Sequence, residues 1–371
     1  MPSGVRADLS IKRMSKRKSI LWPMVILSFA AACSSSSTKA PETPAPARAG
    51  SGGSSSGGAG ASGEVIPEGV AGWQAYMDPK PAMLGTVERG QYLVDHVLVC
   101  GVCHTPSLSN GEPDPANYLA GSRSYDFTDI DGTVITVNAE NLTSHDPEGL
   151  HSWTDGQIRT AITKGVDDEH YAIYPIMPYP EYALLTPEDA DSIIQYLRTV
   201  PANANVVASD YPYADTHPPA PAVDGTKVPH TTLAKTDPDY SAAERGRYLA
   251  EVACLNCHTE EIKHDELIAP DQPNLQKAFA GGKRYTFIRG APEHTSVNIT
   301  PDKTGLADWS IDDIVNALMN NTEKGTGRAF CNTHPGGAQR LGGMKASDVR
   351  DLATYIHTLP PVSNGPFKCE K

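Results

Sequence analysis

The sequence of 371 residues is short of apolar and aromatic side chains, which make up 39% and 7% of it. Basic residues are scarce outside the N-terminus. Residues 1–32 hold six of the 31 Lys and Arg residues but only one of the 44 Asp and Glu residues, so the remainder carries a net charge of −18. Phosphate backbones and anionic membrane surfaces repel so acidic a chain, which excludes nucleic-acid binding as a first hypothesis.

The sequence also lacks a Ser-His-Asp set, a phosphate-binding loop and paired carboxylates. It has no apolar run near the roughly 20 residues that a membrane-spanning helix needs. The run Ile20–Ala32 has only 13 residues and follows a basic stretch, Lys12–Lys18. This order is typical of an export signal, so we predict that residues 1–32 are a signal peptide.

Three alanines and then Cys33 and four serines follow the apolar run. The segment resembles the lipobox of bacterial lipoproteins, in which the cysteine is acylated, although Ala30 stands where that pattern prefers Leu. Ordinary cleavage after Ala32 is the alternative. The resemblance implies an exported protein on the periplasmic side, held on a membrane through a lipid on Cys33.

Composition divides the rest of the chain. Residues 33–66 are mostly Ser, Gly, Ala, Pro and Thr and predict a disordered tether. Residues 204–239 are rich in proline and predict a stiff linker. We therefore predict two domains, 67–203 and 240–364, and a C-terminal tail at 365–371.

The two predicted domains are copies of each other, with matching segments about 157 residues apart. The matches in chain order are Val87–Leu93 with Ala243–Leu249, Cys100–Thr105 with Cys254–Thr259, Asn141-Leu142-Thr143 with Asn298-Ile299-Thr300, Trp153 with Trp309, and Tyr196 with Tyr355.

Helix signals recur in each copy. Thr154 and Gln157 form a capping-box pattern before a short helix that Gly165 should end. Thr186 and Ser347 are predicted N-caps of the last helix of each copy. These signals predict an all-α fold with two tandem domains and long loops. One exception is a small β-hairpin in the first domain, with segments 126–130 and 133–137 on either side of a predicted Asp-Gly turn.

A Cys-x-x-Cys-His motif occurs once in each copy, as Cys100/Cys103/His104 and Cys254/Cys257/His258. The motif is a c-type haem attachment signal, because two thiols one helical turn apart can each add to a haem vinyl group while the imidazole meets the iron. A zinc site would need both cysteine pairs together and would leave two histidines unexplained. A redox-active dithiol would need a strand–helix context that is missing.

With these motifs, both copies resemble class I cytochrome c domains. The arrangement is similar to tandem dihaem cytochromes related to the cytochrome subunits of bacterial alcohol and gluconate dehydrogenases. The resemblance covers residues 84–201 and 240–363 and implies two covalently bound haem c groups. It also implies that the two Asn-x-Thr segments and the tryptophans after them lie against the haem edges and propionates.

The family places a distal Met in a Met-Pro pair before the last helix. The first copy has Met177 between prolines, which we predict as the distal ligand of haem 1, with His170 as a rival. The second copy departs from the pattern and has His334-Pro335 at the matching place. We predict His334 as the distal ligand of haem 2, with Met344 as the main rival and an open or Cys331-bound iron as a further alternative.

Ligand identity predicts the direction of electron flow. Thioether sulfur stabilises ferrous iron relative to ferric iron, so the haem with Met177 should have a higher potential than the haem held by two histidines. Electrons should then run from haem 2 to haem 1. Cys331 and Cys369 remain, and in an oxidising compartment they are expected to form a disulfide, with a reactive Cys331 as the alternative.

These features favour an electron carrier that docks transiently on redox partner proteins. The resemblance adds the catalytic subunit of a periplasmic dehydrogenase as a partner. The alternative is a dihaem enzyme of peroxidase or thiosulfate dehydrogenase type that uses the second haem as its catalytic site. A purely structural surface lipoprotein would leave both motifs without a role.

Overall fold

A computed structural model describes residues 84–109, 113–121, 123–128, 134–208, 218–262, 272–285, 294–325 and 341–366. Several predicted features lie outside these ranges. They are the signal peptide, Cys33, the tether, the Asp131-Gly132 turn, Cys331, His334 and Cys369.

The first half of the described chain, residues 84–208, contains five α-helices and one sheet. The helices are α1 (Val87–Tyr92), α2 (Gly101–His104), α3 (Asp155–Lys164), α4 (Tyr179–Tyr182) and α5 (Pro187–Leu197). A π-helical turn (Leu93–Val97) continues α1, and Pro115–Asn117 form a 3₁₀ turn. Strands β1 (Ser124–Thr128) and β2 (Val134–Asn138) pair antiparallel, with Thr128 opposite Val134.

The second half, residues 218–366, repeats this order. Its helices are α6 (Tyr240–Ala253), α7 (Leu255–His258), α8 (Ile311–Asn320) and α9 (Ala346–His357), with 3₁₀ turns at Gly225–Lys227 and Leu275–Lys277. Two short antiparallel pairs are added, β3 (Glu261–Ile262) with β4 (Gln272–Pro273) and β5 (Arg284–Tyr285) with β6 (His294–Thr295).

The predicted all-α class with a small hairpin in the first half is confirmed, with strands shifted by one or two residues from the predicted segments. The Thr154–Gln157 capping box is present, and Gly165 ends α3 in a left-handed conformation. Thr186 caps α5 by accepting a hydrogen bond from the backbone N–H of Asp189.

The predicted Ser347 cap is wrong. Helix α9 begins at Ala346, and Lys345 is its N-cap without a side-chain capping bond. The backbone N–H of Lys345 donates instead to the hydroxyl of Tyr92, at 3.2 Å, in the first half. The start of α9 is therefore tied to the first half through the backbone of its N-cap residue.

In each half the first and last helices cross at a glycine. A Cβ on Gly90 would overlap the carbonyl oxygen of Ser192 on α5, and a Cβ on Gly246 would overlap that of Asp351 on α9. The helices can approach this closely only because neither glycine has a side chain. This crossing places the helix before each Cys-x-x-Cys-His motif.

The first half has two more residues than the second between the crossing glycine and the first cysteine of the motif. The π-helical turn and the left-handed Val99, at φ 47°, take up the extra length. As a result, the backbone N–H of Cys100 bonds the carbonyl of Val94 at 3.0 Å, and that of Cys254 bonds the matching carbonyl of Ala250 at 2.9 Å. The motif starts from the same place in both halves.

The halves contact each other through reciprocal hydrogen bonds. The hydroxyl of Tyr92 donates to Asp348 on α9, and the hydroxyl of Tyr248 on α6 donates to Asp189 on α5, both at 2.7 Å. Burial alone would raise the pKa of Asp189, but hydrogen bonds from Arg89 and Tyr248 hold it below its ordinary value. An ionised Asp189 thus joins the two halves.

The described part of the proline-rich segment, residues 218–239, packs against both halves. The backbone N–H of Ala220 donates to the hydroxyl of Tyr179 at 2.6 Å, and that of Thr232 donates to the carbonyl of Thr358 at 2.8 Å. Val228 is 1% exposed. No helix in the described ranges combines the length and the apolar character that a membrane crossing requires.

We predict that Gly90→Ala lowers the free energy of unfolding by about 2 kcal/mol, because the added methyl group forces α1 away from α5. Urea unfolding of the haem-loaded protein measures this loss. Gln91→Ala, at the exposed neighbouring position, is the control and should change stability by less than about 0.5 kcal/mol. Equal stability of the two variants would contradict the close crossing.

Candidate haem-attachment sites

Each Cys-x-x-Cys-His motif forms one short helix. The motif of the first half ends in α2, where the backbone N–H of His104 bonds the carbonyl of Cys100 at 2.9 Å. The motif of the second half ends in α7, where His258 and Cys254 make the same bond at 2.9 Å. The structure thus brings the two thiols and the imidazole of each motif into one helical turn.

Both imidazoles are held by a backbone carbonyl. Nδ1 of His104 lies 2.7 Å from the carbonyl oxygen of Glu140, and Nδ1 of His258 lies 2.8 Å from that of Val297. A carbonyl oxygen can only accept, so Nδ1 carries the proton and Nε2 keeps its lone pair. This second interaction orients an imidazole ligand toward a metal.

Glu140 and Val297, whose carbonyls bind the two histidines, directly precede the two Asn-x-Thr segments. Asn141 is 2% exposed and donates to the carbonyls of Asn203 and Asn205 at 2.8 and 3.0 Å. Its own oxygen accepts from the backbone and the hydroxyl of Thr143 at 2.9 and 2.7 Å. The segment therefore ties the histidine-binding carbonyl to the chain that follows α5.

The second half repeats this arrangement at Asn298. Its side chain donates to the carbonyl of Val362 at 2.8 Å and accepts from the backbone and the hydroxyl of Thr300 at 2.9 and 2.8 Å. The described role of both asparagines is thus structural, through bonds to protein atoms. The expected contact with haem propionates stays a prediction.

The threonine after each histidine also holds its motif in place, through a hydrogen bond to the backbone of a later residue. The Thr105 hydroxyl accepts from the backbone N–H of Leu119 at 3.1 Å, and the Thr259 hydroxyl accepts from that of Phe279 at 3.2 Å. Leu119 and Phe279 are both left-handed, at φ 59° and 63°. Such backbone is rare for large side chains, and here it recurs at matching positions of the two halves.

A set of half-buried apolar side chains, here called the rim, packs against the hydrophobic core in both halves. It includes Cys100, Tyr118, Leu142, Trp153 and Met177 in the first half and Cys254, Val297, Leu306, Trp309 and Met319 in the second. Apolar side chains of this kind suit a flat apolar group such as a porphyrin. Thiols, imidazole and rim together fit a covalently attached haem.

Met177 is held in the loop that leads into α4. Its backbone N–H donates to the carbonyl of Tyr174 at 3.2 Å, and its carbonyl accepts from the N–H of Tyr179 at 2.8 Å. These bonds fix the loop on both sides of the thioether.

The electrostatics of the motifs favour neutral groups. Burial lowers the pKa of His104 and of His258, although the carbonyl bond to each opposes the shift. Burial raises the pKa of Cys254 to about 12, so this sulfur is a neutral thiol in its protein surroundings. Across the described ranges, no three His, Cys, Asp or Glu side chains converge as a metal site would require.

Sequence reasoning missed the side chains that connect the two motifs. Glu181 on α4 of the first half accepts a hydrogen bond at 3.1 Å from Asn256, which lies between the two cysteines of the second motif. Lys283 donates to the same amide at 3.1 Å. No local pattern marks these residues, because they meet only when the halves pack.

We predict that Asn141→Asp lowers the free energy of unfolding by at least about 3 kcal/mol, since two donor bonds are lost and a carboxylate is buried against carbonyl oxygens. Burial disfavours the charged form of the new Asp, so the loss should grow as pH rises. Urea unfolding of haem-loaded protein over a pH series tests this. Asn316→Asp, exposed on α8, should show neither effect.

No protein-family model matches the chain. Curated proteins do match it. The cytochrome subunit of fructose dehydrogenase from Gluconobacter japonicus is 31% identical over 181 residues, which are 47% of this chain and 34% of that protein. The cytochrome c subunit of the quinone alcohol dehydrogenase from Gluconobacter oxydans is 27% identical over 300 residues, 75% of this chain and 56% of that protein.

A diheme cytochrome c-type protein of Cereibacter sphaeroides is 29% identical over 238 residues, 59% of this chain and 68% of that protein. Relatives at 24–31% identity are thus named as cytochrome subunits of dehydrogenases or as a diheme cytochrome. The resemblance found from the motifs is confirmed. The matches span 34% and 56% of the first two relatives, so their whole activities are not carried over.

Proposed function

We propose that this protein is an exported dihaem c-type cytochrome that carries single electrons. One haem is attached at Cys100 and Cys103, the other at Cys254 and Cys257. The observation that carries the proposal is the repeated attachment geometry, in which each motif holds a histidine by the same carbonyl bond. Relatives named as cytochrome c subunits support electron transfer.

The residues of the chain hold the cofactor and shield it. His104 and His258 are the proximal ligands through Nε2, because the carbonyls of Glu140 and Val297 occupy Nδ1. The half-buried apolar rim would offer a haem an apolar surface. A haem so bound supplies a one-electron couple between ferric and ferrous iron.

Met177 is the distal ligand of the first haem. The loop bonds to Tyr174 and Tyr179 support this role, because they hold the thioether against relaxation away from a metal. His334 is the distal ligand of the second haem, and its loop lies outside the described residues.

The position of Met344 in the fold supports His334, rather than Met344, as the distal ligand of the second haem. Met344 is 5% exposed and belongs to the hydrophobic core. The residue after it, Lys345, bonds Tyr92, just as Thr186 bonds Tyr248 in the first half. Met344 therefore matches Leu185, which is a core residue.

Electrons enter at haem 2 and leave from haem 1, since the thioether of Met177 raises the potential of haem 1 above that of a haem with two imidazoles. The donor is the catalytic subunit of a dehydrogenase, in keeping with relatives named as cytochrome subunits of such enzymes. Other redox proteins dock transiently on the acidic surface. A lipid on Cys33 holds the protein at a membrane on the periplasmic side.

We predict that replacing both Cys254 and Cys257 by Ser removes one covalent haem per chain and leaves the other. Replacing Cys100 and Cys103 by Ser should likewise remove the haem of the first site and leave that of the second. Intact mass under denaturing conditions measures the number of attached haems. Two haems in either double variant, or none in the unaltered protein from a cytochrome-maturing host, would contradict the proposal.

We predict two midpoint potentials in a redox titration. Met177→His should lower the upper one, because imidazole stabilises ferric iron better than thioether sulfur does, and His334→Met should raise the lower one. Met344→Leu is the matched control and should shift neither. A potential shift in Met344→Leu with none in His334→Met would transfer the ligand role to Met344. High-spin bands that change with peroxide would favour the dihaem enzyme.

A further inference from the structure

The short helix α4 lies between the two attachment motifs. It follows the Met177 loop of the first half, yet it also packs on α6 of the second half. The hydrogen bond from Asn256 to Glu181 joins it to the second motif. One element thus follows the Met177 loop directly and bonds the Cys-x-x-Cys-His turn of the second half.

A buried polar chain clamps α4 in this place. Glu181 is 2% exposed and Lys283 is 8% exposed, and the amide of Asn256 bridges them with two bonds of 3.1 Å. Lys283 also pairs with Glu261 at 2.7 Å. Burial raises the pKa of Glu181. Removing the Asn256 amide would take a hydrogen-bond partner from both buried side chains, which is costly inside a protein.

Tyr182, the residue after Glu181, is buried at 7% exposure within the hydrophobic core. Cys100 of the first motif and Cys254 of the second pack against the same hydrophobic core. Cys100, Cys103 and Cys257 are also close enough to act electrostatically on the Tyr182 hydroxyl. Burial, the largest cause, raises its pKa well above the ordinary value for tyrosine. The ring is therefore a neutral phenol.

We propose that α4 is the bridge for electrons between the two haems, with the Tyr182 ring as the packed path and the Glu181–Asn256–Lys283 chain as the clamp that holds it. The inference rests on the proposed function. One electron leaves ferrous iron at one site and reduces ferric iron at the other, and no bond is made or broken. The clamp acts by position, and Tyr182 acts by filling the gap between the sites.

The rate of electron transfer between the haems should depend on how Tyr182 packs. Electron tunnelling weakens wherever atoms are separated by a gap, so a buried aromatic ring between the two sites would shorten the path. Tyr182→Leu should slow interhaem electron transfer on the order of tenfold, whereas Tyr182→Phe keeps the ring and should change the rate less than twofold. The rate is the concentration-independent phase after flash reduction of the holoprotein by a photoreductant.

The clamp is tested separately with Asn256→Val, which gives the second motif the residue that the first has at Val102. Loss of both bonds should speed amide hydrogen exchange in α4, read by mass spectrometry without any change of redox state, and should slow the interhaem phase. Tyr240→Leu is the control. Tyr240 begins α6, about 20 Å along that helix from Cys254, and its replacement should alter neither readout.

The outcomes separate the two proposals. Two attached haems with an interhaem rate in Tyr182→Leu equal to that of the unaltered protein would overturn the bridge and leave the cytochrome function intact. Fewer than two haems in the unaltered protein would overturn the cytochrome function itself. If Tyr182→Leu does not fold, Asn256→Val decides, because unchanged exchange in α4 together with an unchanged rate would refute the clamp and the path.

Discussion

The hydrogen bond between each attachment histidine and a backbone carbonyl is the constraint on which the site depends. Glu140 and Val297 supply these carbonyls, and each stands directly before a buried asparagine that is bonded to the chain after the last helix. The imidazole is therefore oriented only when the last helix and its following segment are in place. The orientation of each imidazole thus depends on residues at the C-terminal end of its half.

Local rules of sequence were sufficient for much of the fold. The capping box at Thr154, the end of α3 at Gly165 and the cap at Thr186 were predictable, because each is set within a few residues. The two attachment motifs were predictable for the same reason, since their chemistry needs only the spacing of three side chains.

What sequence could not predict depends on contacts between distant residues. Ser347 has the right type for a cap, but the N-cap of α9 is Lys345, two residues earlier, and its backbone N–H bonds Tyr92 in the first half. The composition of the proline-rich segment predicts a stiff spacer, yet Val228 within this segment is buried. Nothing in the sequence distinguishes Glu181 from the other acidic residues, because only the structure shows its burial against Asn256.

The contacts between the halves are of two kinds, and the difference bears on function. The Tyr92–Asp348 and Tyr248–Asp189 bonds are reciprocal, so they treat the two copies alike. The contact of α4 with Asn256 joins the segment after Met177 in the first copy to the Cys-x-x-Cys-His turn of the second. Under the proposed function, the reciprocal bonds hold the copies together, and the α4 contact links the surroundings of one haem site to the turn of the other.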